Sequence, residues 1–324
     1  MRCLGEGSSH EELRAEAAIE HARHKISQMN RDGIAYMRTI SPIASPMYSG
    51  VDGDGWRIDT GEGVSFFLKL YQKDTAEFVD LDTSFKAAAA AANQAIAPKL
   101  LWSAPTLRAA IWEYKAAPWR AATFEDSANP DVAVQVACSL RQLHAAKPLG
   151  KLRSVFTDLK NYVALAQERA VVLPVDFNWM LGNVHYIERA ISAAGFDLCA
   201  CHGDLIASNI MIGPRREVLF VDWDEAGDSD PYWDLGMYMA EAFPFDQQAL
   251  AMIESYAGQA DVRLLSRARL YAIAGDLAWA VRSLIMAYQT ERLEVEYFKY
   301  AHWRALRCRV ALHDPKFEQM LRFI

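Results

Sequence analysis

Cysteine is scarce and unpatterned in this chain of 324 residues: Cys3, Cys138, Cys199, Cys201 and Cys308 are all it has. An odd number without metal-site spacing excludes a disulfide framework. Cys199-x-Cys201 is too close for a usual disulfide or a zinc knuckle, so all five read as reduced, packing thiols. Positive charge is short as well. The 34 Lys and Arg against 41 Asp and Glu leave a net charge of -7, which excludes a general nucleic-acid binder, because affinity for a phosphate backbone is built from clustered basic residues. Long apolar runs are missing too: no charge-free stretch reaches the ~20 residues of a membrane span. The first residues, acidic at Glu6, Glu11 and Glu12, lack a signal-peptide pattern. A cytoplasmic protein with neither a nucleic-acid nor a membrane partner is expected, and its ligand should be small.

What is present is an ordinary globular balance, 52% hydrophobic and 23% charged, in a chain long enough for one large domain or two lobes. Its candidate chemistry is concentrated between Leu198 and Gly236, in LCACHGDLIASNIMIGPRREVLFVDWDEAGDSDPYWDLG. His202-Gly203-Asp204 is followed five positions later by Asn209. A hairpin turning at Gly213-Pro214 then leads into an apolar strand that ends on Asp222. His-x-Asp arises often by chance, and an Asp closing a strand is usually a turn or cap residue. The order of loop acid, amide, hairpin and acid is far more specific. It is the parts list of metal-assisted phosphoryl transfer: Asp204 to orient the attacking hydroxyl, Asn209 and Asp222 to hold magnesium against a triphosphate. His202 braces the loop, and Asp224 and Glu225 either share the Asp222 site or face the substrate.

HGDLIASNIM followed by VDWDEAGDSDPYWDLG resembles the catalytic core of the aminoglycoside phosphotransferase and choline/ethanolamine kinase superfamily. The resemblance implies an α+β, two-lobed protein-kinase-like fold. A small antiparallel sheet with a helix would form an N-terminal lobe over residues 1–112, carrying a helical extension over 8–29. A hinge would occupy 113–119, and a larger, mainly helical lobe 120–324. It also implies ATP and magnesium as cofactors. Lys69, in the apolar strand Ser65 to Tyr71, becomes the lysine that contacts the nucleotide's α- and β-phosphates, on one face with Phe67 and Tyr71. Tyr48, Ser49 and Gly50 fall where such folds place the loop over the phosphates, and Trp112, Glu113 and Tyr114 where they hold the adenine. Asp230 and Asp234 resemble the acids that brace the catalytic loop.

One position departs from the family. The helix after the lysine strand, expected over Asp82 to Ala95, usually supplies a glutamate to pair with that lysine, and Ser84 stands there. Asp82 or Glu77 is the expected substitute. Elsewhere, Asp-Gly pairs between Ala44 and Trp56 read as turns, as does Thr60 to Gly63, which joins two strands. Helical spacing marks Val132 to Ala146, closed by His144 as a packing or cap residue. Two further helices fall within 156 to 195, with Phe177, Trp179 and Tyr186 as contacts between elements or with substrate.

The acceptor is the open question. Asp276-Leu277-Ala278-Trp279, then Tyr297 and Tyr300, mix aromatics with acids, as a cationic alcohol requires, although helical aromatics are more often core. Their arrangement resembles the choline/ethanolamine side of the superfamily, so Trp279, Tyr297 and Tyr300 are the candidate substrate residues and an amine-bearing alcohol the candidate partner. An aminoglycoside or other hydroxylated metabolite is the alternative acceptor. A nucleotide-binding scaffold without efficient catalysis is the alternative that Ser84 raises. Nothing in the sequence indicates an oligomeric state.

Overall fold

Two-residue alternation builds the first layer. In the computed structural model, which describes residues 1–30, 33–39, 52–292 and 295–324, the first third of the chain contributes β1 (Arg2–Cys3), β2 (Ala35–Arg38), β3 (Gly53–Asp59), β4 (Ser65–Tyr71), β5 (Leu100–Ala104) and β6 (Ala109–Glu113). They pair antiparallel in the order β1-β2-β3-β4-β6-β5. Trp56, Ile58, Phe66, Leu68 and Ile111 point to one face, where they meet Ala15, Ala18, Ile19 and Ala22 of helix α1 (His10–Arg23). That helix starts at a capping box formed by Ser9 and Glu12, which satisfies two otherwise orphaned backbone donors. Helix α2 (Leu81–Asn93), N-capped by Asp80, follows β4.

The expected turn at Thr60 to Gly63 is present, with Asp59 opposite Ser65. The Asp-Gly pairs are not turns. Gly53 and Gly55 lie inside β3, and a Cβ on Gly53 would meet the Leu70 carbonyl oxygen at 2.7 Å and the Lys69 Cε at 3.0 Å. Glycine is there to clear space for a neighbouring side chain, a need that a turn-forming dipeptide does not reveal. Tyr48, Ser49 and Gly50 lie outside the described residues.

The rest is mainly helical: α3 (Phe124–Ala128), α4 (Pro130–His144), α5 (Val155–Glu168), α6 (Phe177–Ala194), α7 (Pro231–Ala242), α8 (Asp246–Ala257), α9 (Val262–Gln289), α10 (Tyr297–Leu312) and α11 (Phe317–Phe323). Short strands β7 (Arg120–Ala121), β8 (Cys199–Cys201), β9 (Ile210–Ile212), β10 (Val218–Phe220) and β11 (Gly227–Ser229) frame the chemical stretch. They form one sheet ordered β10-β9-β7 and a second pairing β11 with β8. Phe177 is buried, whereas Trp179 and Tyr186 face outward. This is the α+β, two-lobed architecture that the sequence led us to expect.

Helix α9 is long and apolar enough to cross a bilayer, yet 94% of its most apolar window is buried within the chain; it is the spine of the helical core. Its charges are partnered. The Arg282 guanidinium, 1% exposed, donates to Asp52 and Glu225 at 2.5 Å each. It thereby ties the approach to β3 to the loop after β10. Asp276 accepts from Arg304 at 2.8 Å and lies 3.1 Å from Arg307. Removing one partner of a buried ion pair strands the other charge, at a cost of about 3–5 kcal/mol. Arg282→Met, which leaves Asp52 and Glu225 facing each other, is therefore expected to lower stability by about that amount in urea denaturation; an unchanged midpoint would mean the network contributes nothing.

Candidate active site

Strand β4 delivers Lys69 to the face opposite α1, between Phe67 and Tyr71. Its side chain is 11% exposed, and its Nζ donates to Asp222 Oδ1 and to Asp224 Oδ2, both at 2.7 Å. Burial alone would depress the ammonium; the two carboxylates outweigh it and hold Lys69 well above the ordinary lysine range. This answers the question posed by Ser84. Asp82 is exposed, and Glu77 is paired with Arg169 at 2.7 Å, so neither reaches the lysine. The pairing carboxylates come instead from the loop after β10, and Ser84 Oγ donates to the other oxygen of Asp224 at 3.3 Å. The serine at this helix position thus braces the carboxylate that holds the lysine.

The two acids divide the charge between them. Asp224 is 4% exposed, and burial together with the neighbouring Asp222 charge pushes its carboxyl up. The Asp222 side chain is 40% exposed; burial opposes its ionisation, but Lys69 holds it below the usual range. Asp222 also sits at φ 66°, the left-handed region that costs an L-residue roughly 1–2 kcal/mol. Such strain is typical of a functional side chain aimed by its backbone.

The loop after β8 supplies Asp204 and Asn209. Asn209 Nδ2 donates to the Asp204 backbone oxygen at 2.9 Å and to Oδ2 at 3.2 Å, which leaves the amide oxygen available. The other carboxylate oxygen of Asp204, Oδ1, is buried without a hydrogen-bond partner. A buried acceptor left unpaired in this way is uncommon, and a substrate hydroxyl is a donor that would satisfy it. Burial pushes the Asp204 carboxyl up to about 8, opposed by the nearby Arg304 charge.

His202 does not face this chemistry as a base. It is fully buried, its Nε2–H donates to the Val221 oxygen at 2.9 Å, and its Nδ1 accepts from the Asp204 amide at 3.3 Å. Burial depresses its pKa and keeps the ring neutral. Asp234, at the start of α7, accepts from the His202 amide at 2.8 Å, the Gly203 amide at 2.7 Å and His144 Nε2 at 3.0 Å. Asp230 caps α7 and pairs with Arg267. Gly203, at φ 82°, has no room for a side chain: a Cβ would lie 2.1 Å from the Glu225 oxygen.

These residues share one cavity of about 490 Å³. Trp112, Glu113 and Tyr114 line it with Phe67 and Met211, and Asp204, Asn209, Asp222, Asp224 and Glu225 line it with Lys69, Trp279 and Tyr300. Trp279 and Tyr300 meet edge to face at 6.1 Å. Tyr297 goes elsewhere; it is 2% exposed and hydrogen-bonded to Arg292 within the helical core. Glu225 is committed to Arg153 and Arg282, which makes it a structural anchor at the cavity wall. Arg282 also lies 4.5 Å from the centre of the Trp279 ring, and Arg304 5.8 Å. Sequence reasoning missed Asp52, Arg282 and Arg304; an arginine inside the apolar run of α9 was the available signal, since a buried charge needs a partner.

The raised Asp204 pKa has a consequence for stability. From its ordinary 3.8 to about 8 the folded state holds a proton that the unfolded chain releases, so the Asp204 contribution falls as pH rises through that window. Asp204→Asn removes it. The variant is expected to melt above the parent at pH 8, by a few degrees for each ~1 kcal/mol recovered, with the gap closing near pH 4; a gap independent of pH would contradict the assignment.

Comparison with known proteins gives the family. The family model described as "Phosphotransferase enzyme family" matches residues 44–271. Protein LicA of Haemophilus influenzae is 27% identical over 127 residues, a match that spans 39% of this chain and 47% of that protein, less than half its length. The choline/ethanolamine kinase family protein of Mesorhizobium loti superposes with a TM-score of 0.78 at 21% identity, over 96% of this chain and 98% of the other. Choline kinase LicA of Streptococcus pneumoniae gives a TM-score of 0.74 at 16% identity, over 94% and 99%. Aminoglycoside phosphotransferase structures, one of them holding ADP and spectinomycin, superpose at 0.57 to 0.60. At these identities the structural likeness is one of fold, the protein-kinase-like fold. With the family model covering well over half of the residues, the chain belongs to the phosphotransferase enzyme family.

Proposed function

We propose that this enzyme transfers the γ-phosphate of ATP to the hydroxyl of a small, amine-bearing alcohol of the choline or ethanolamine type, with magnesium. The observation that carries the reading is the convergence of Lys69, Asp204, Asn209 and Asp222 in one cavity. In this reading, residues up to 112 form the nucleotide lobe, 113–119 the hinge and 120–324 the acceptor lobe. Phe67, Met211 and the Trp112 to Tyr114 segment sandwich the adenine, and Lys69 meets the α- and β-phosphates.

The donor set fits the metal. A carboxylate held ionised by Lys69 and a free amide oxygen are hard ligands of the kind magnesium takes, so Asp222 and Asn209 would hold it. When bound, it neutralises charge on the transferring phosphoryl oxygens. Asp204 does the work on the acceptor: in its ionised form, which burial displaces to about pH 8 in the free chain, its unpaired Oδ1 accepts the substrate hydroxyl proton, and the Asn209 bond to its Oδ2 fixes the carboxylate plane. Placement near the phosphate matters more here than an unusual basicity. Asp224 acts through Lys69, holding the ammonium where a helix glutamate would otherwise hold it. The scaffold reading loses its motive, because Ser84 does not leave the lysine unheld.

For the acceptor, Trp279 and Tyr300 beside Asp204 support an ammonium group, and the closer superposition on choline and ethanolamine kinases supports the same class. One observation favours a second reading, a neutral hydroxylated acceptor: Arg282 and Arg304 already crowd Trp279, and positive charge there opposes a further cation.

Two measurements test the proposal. Purified enzyme given MgATP and a panel of choline, ethanolamine, related amino alcohols, aminoglycosides and neutral polyols is expected to release ADP with an amino alcohol; turnover confined to neutral polyols would favour the second acceptor. Asp222→Ala is expected to lower metal-dependent turnover by at least about 10²-fold with the cooperative melt preserved. Persisting activity would show that the metal is held elsewhere.

A further inference from the structure

The two cysteines read from sequence as packing thiols are better placed than that reading allowed. Alternate positions of β8 put Cys199 and Cys201 on one side of the strand, and their sulfurs lie 3.7 Å apart. Two thiolates bound at about 2.3 Å to one tetrahedral ion are ~3.8 Å apart, so the pair already has the bite of a chelate. The third group comes from the end of α4: a ring nitrogen of His144 and both sulfurs all fall within 4.8 Å of one another. None of the three lines the nucleotide cavity.

The imidazole is oriented as a ligand is. His144 Nε2 faces Asp234 at 3.0 Å and Nδ1 faces the Tyr256 hydroxyl at 2.8 Å. With Nε2–H donated to the carboxylate, Nδ1 carries the lone pair and Tyr256 now donates to it. A carboxylate behind an imidazole is the usual support of a metal-bound histidine. Cys199 is partly exposed while Cys201 is buried and His144 nearly so, which gives an ion one side of entry and an otherwise protein-lined pocket. The spacing of the two cysteines alone did not suggest a site because the third ligand lies on a separate helix.

We propose that Cys199, Cys201 and His144 form a binding site for a zinc-class divalent ion, with the Tyr256 oxygen or a water as the fourth ligand. Soft thiolates with an imidazole select such an ion over magnesium. Binding releases two thiol protons to solvent, the ion takes the Nδ1 lone pair, and no electron transfer is involved. Because Asp234 also holds the His202 and Gly203 amides, the site stands one carboxylate away from the catalytic loop.

The test uses the full chain, stripped with a chelator and kept reduced with a phosphine, titrated first with Co²⁺ and then with Zn²⁺. One Co²⁺ per chain is expected, with a thiolate-to-cobalt charge-transfer band in the near ultraviolet, tetrahedral visible bands, displacement by Zn²⁺ and release of two protons. Cys199→Ser, at a partly exposed position whose folding a melt verifies, is expected to bind at least about 10–100-fold more weakly and to lose about half of the charge-transfer intensity. Stoichiometric metal without a thiolate band would place the ion at carboxylates and overturn the proposal. Equal affinity in Cys199→Ser, or no binding by the parent, would do the same.

Discussion

One ammonium group organises this molecule. Lys69 is carried on a sheet strand, and both of its carboxylate partners, Asp222 and Asp224, come from the loop after β10. A buried lysine is unfavourable unless its charge is met, so the sheet and the helical part must close on each other for either to be stable there. The space this needs is provided by Gly53, which carries nothing that would collide with the lysine stem. Arg282 repeats the arrangement in reverse, a cation from the helical core reaching Asp52 beside the sheet. Two crossed ion clusters thus fix the cavity between the parts.

The loop after β8 is fixed from the other side. Asp234 collects two loop amides and the His144 ring, while burial raises its cost of ionisation and those three hydrogen bonds more than offset it. With Gly203 pressed against the Glu225 backbone, Asp204 has little freedom. Its open oxygen therefore points to a defined place, which is what positioning catalysis requires.

Much of this was legible in the sequence, for identifiable reasons. Asp204, Asn209 and Asp222 lie within one short stretch, so local order was enough to bring them to one cavity, and strand alternation gave the face of Lys69. The helices α4, α5 and α6 followed from spacing and a Pro break. What was not legible depended on distant partners. Ser84 looked like a lost function because the compensating Asp224 is far away in sequence. Glycines in β3 looked like turns because their purpose is a neighbour's side chain. Tyr297 and Tyr300 share a helical pattern, yet only Tyr300 lines the cavity, since a period places residues on a face without saying what the face meets. Cys199 and Cys201, on a strand, needed His144 from the end of α4 to gain meaning.

The chain belongs to the phosphotransferase enzyme family, and one cavity gathers the residues proposed for that chemistry. The central claim is that Asp224, from the opposite lobe, does through Lys69 what a helix glutamate would do. A double-mutant cycle on MgATP affinity, measured by calorimetry for the parent, Lys69→Met, Asp224→Asn and the pair, tests it most directly. If Asp224 works through the lysine, the double variant binds no more weakly than Lys69→Met alone. Losses that simply add would contradict the account, leaving Asp224 with a separate task and Lys69 without its anchor.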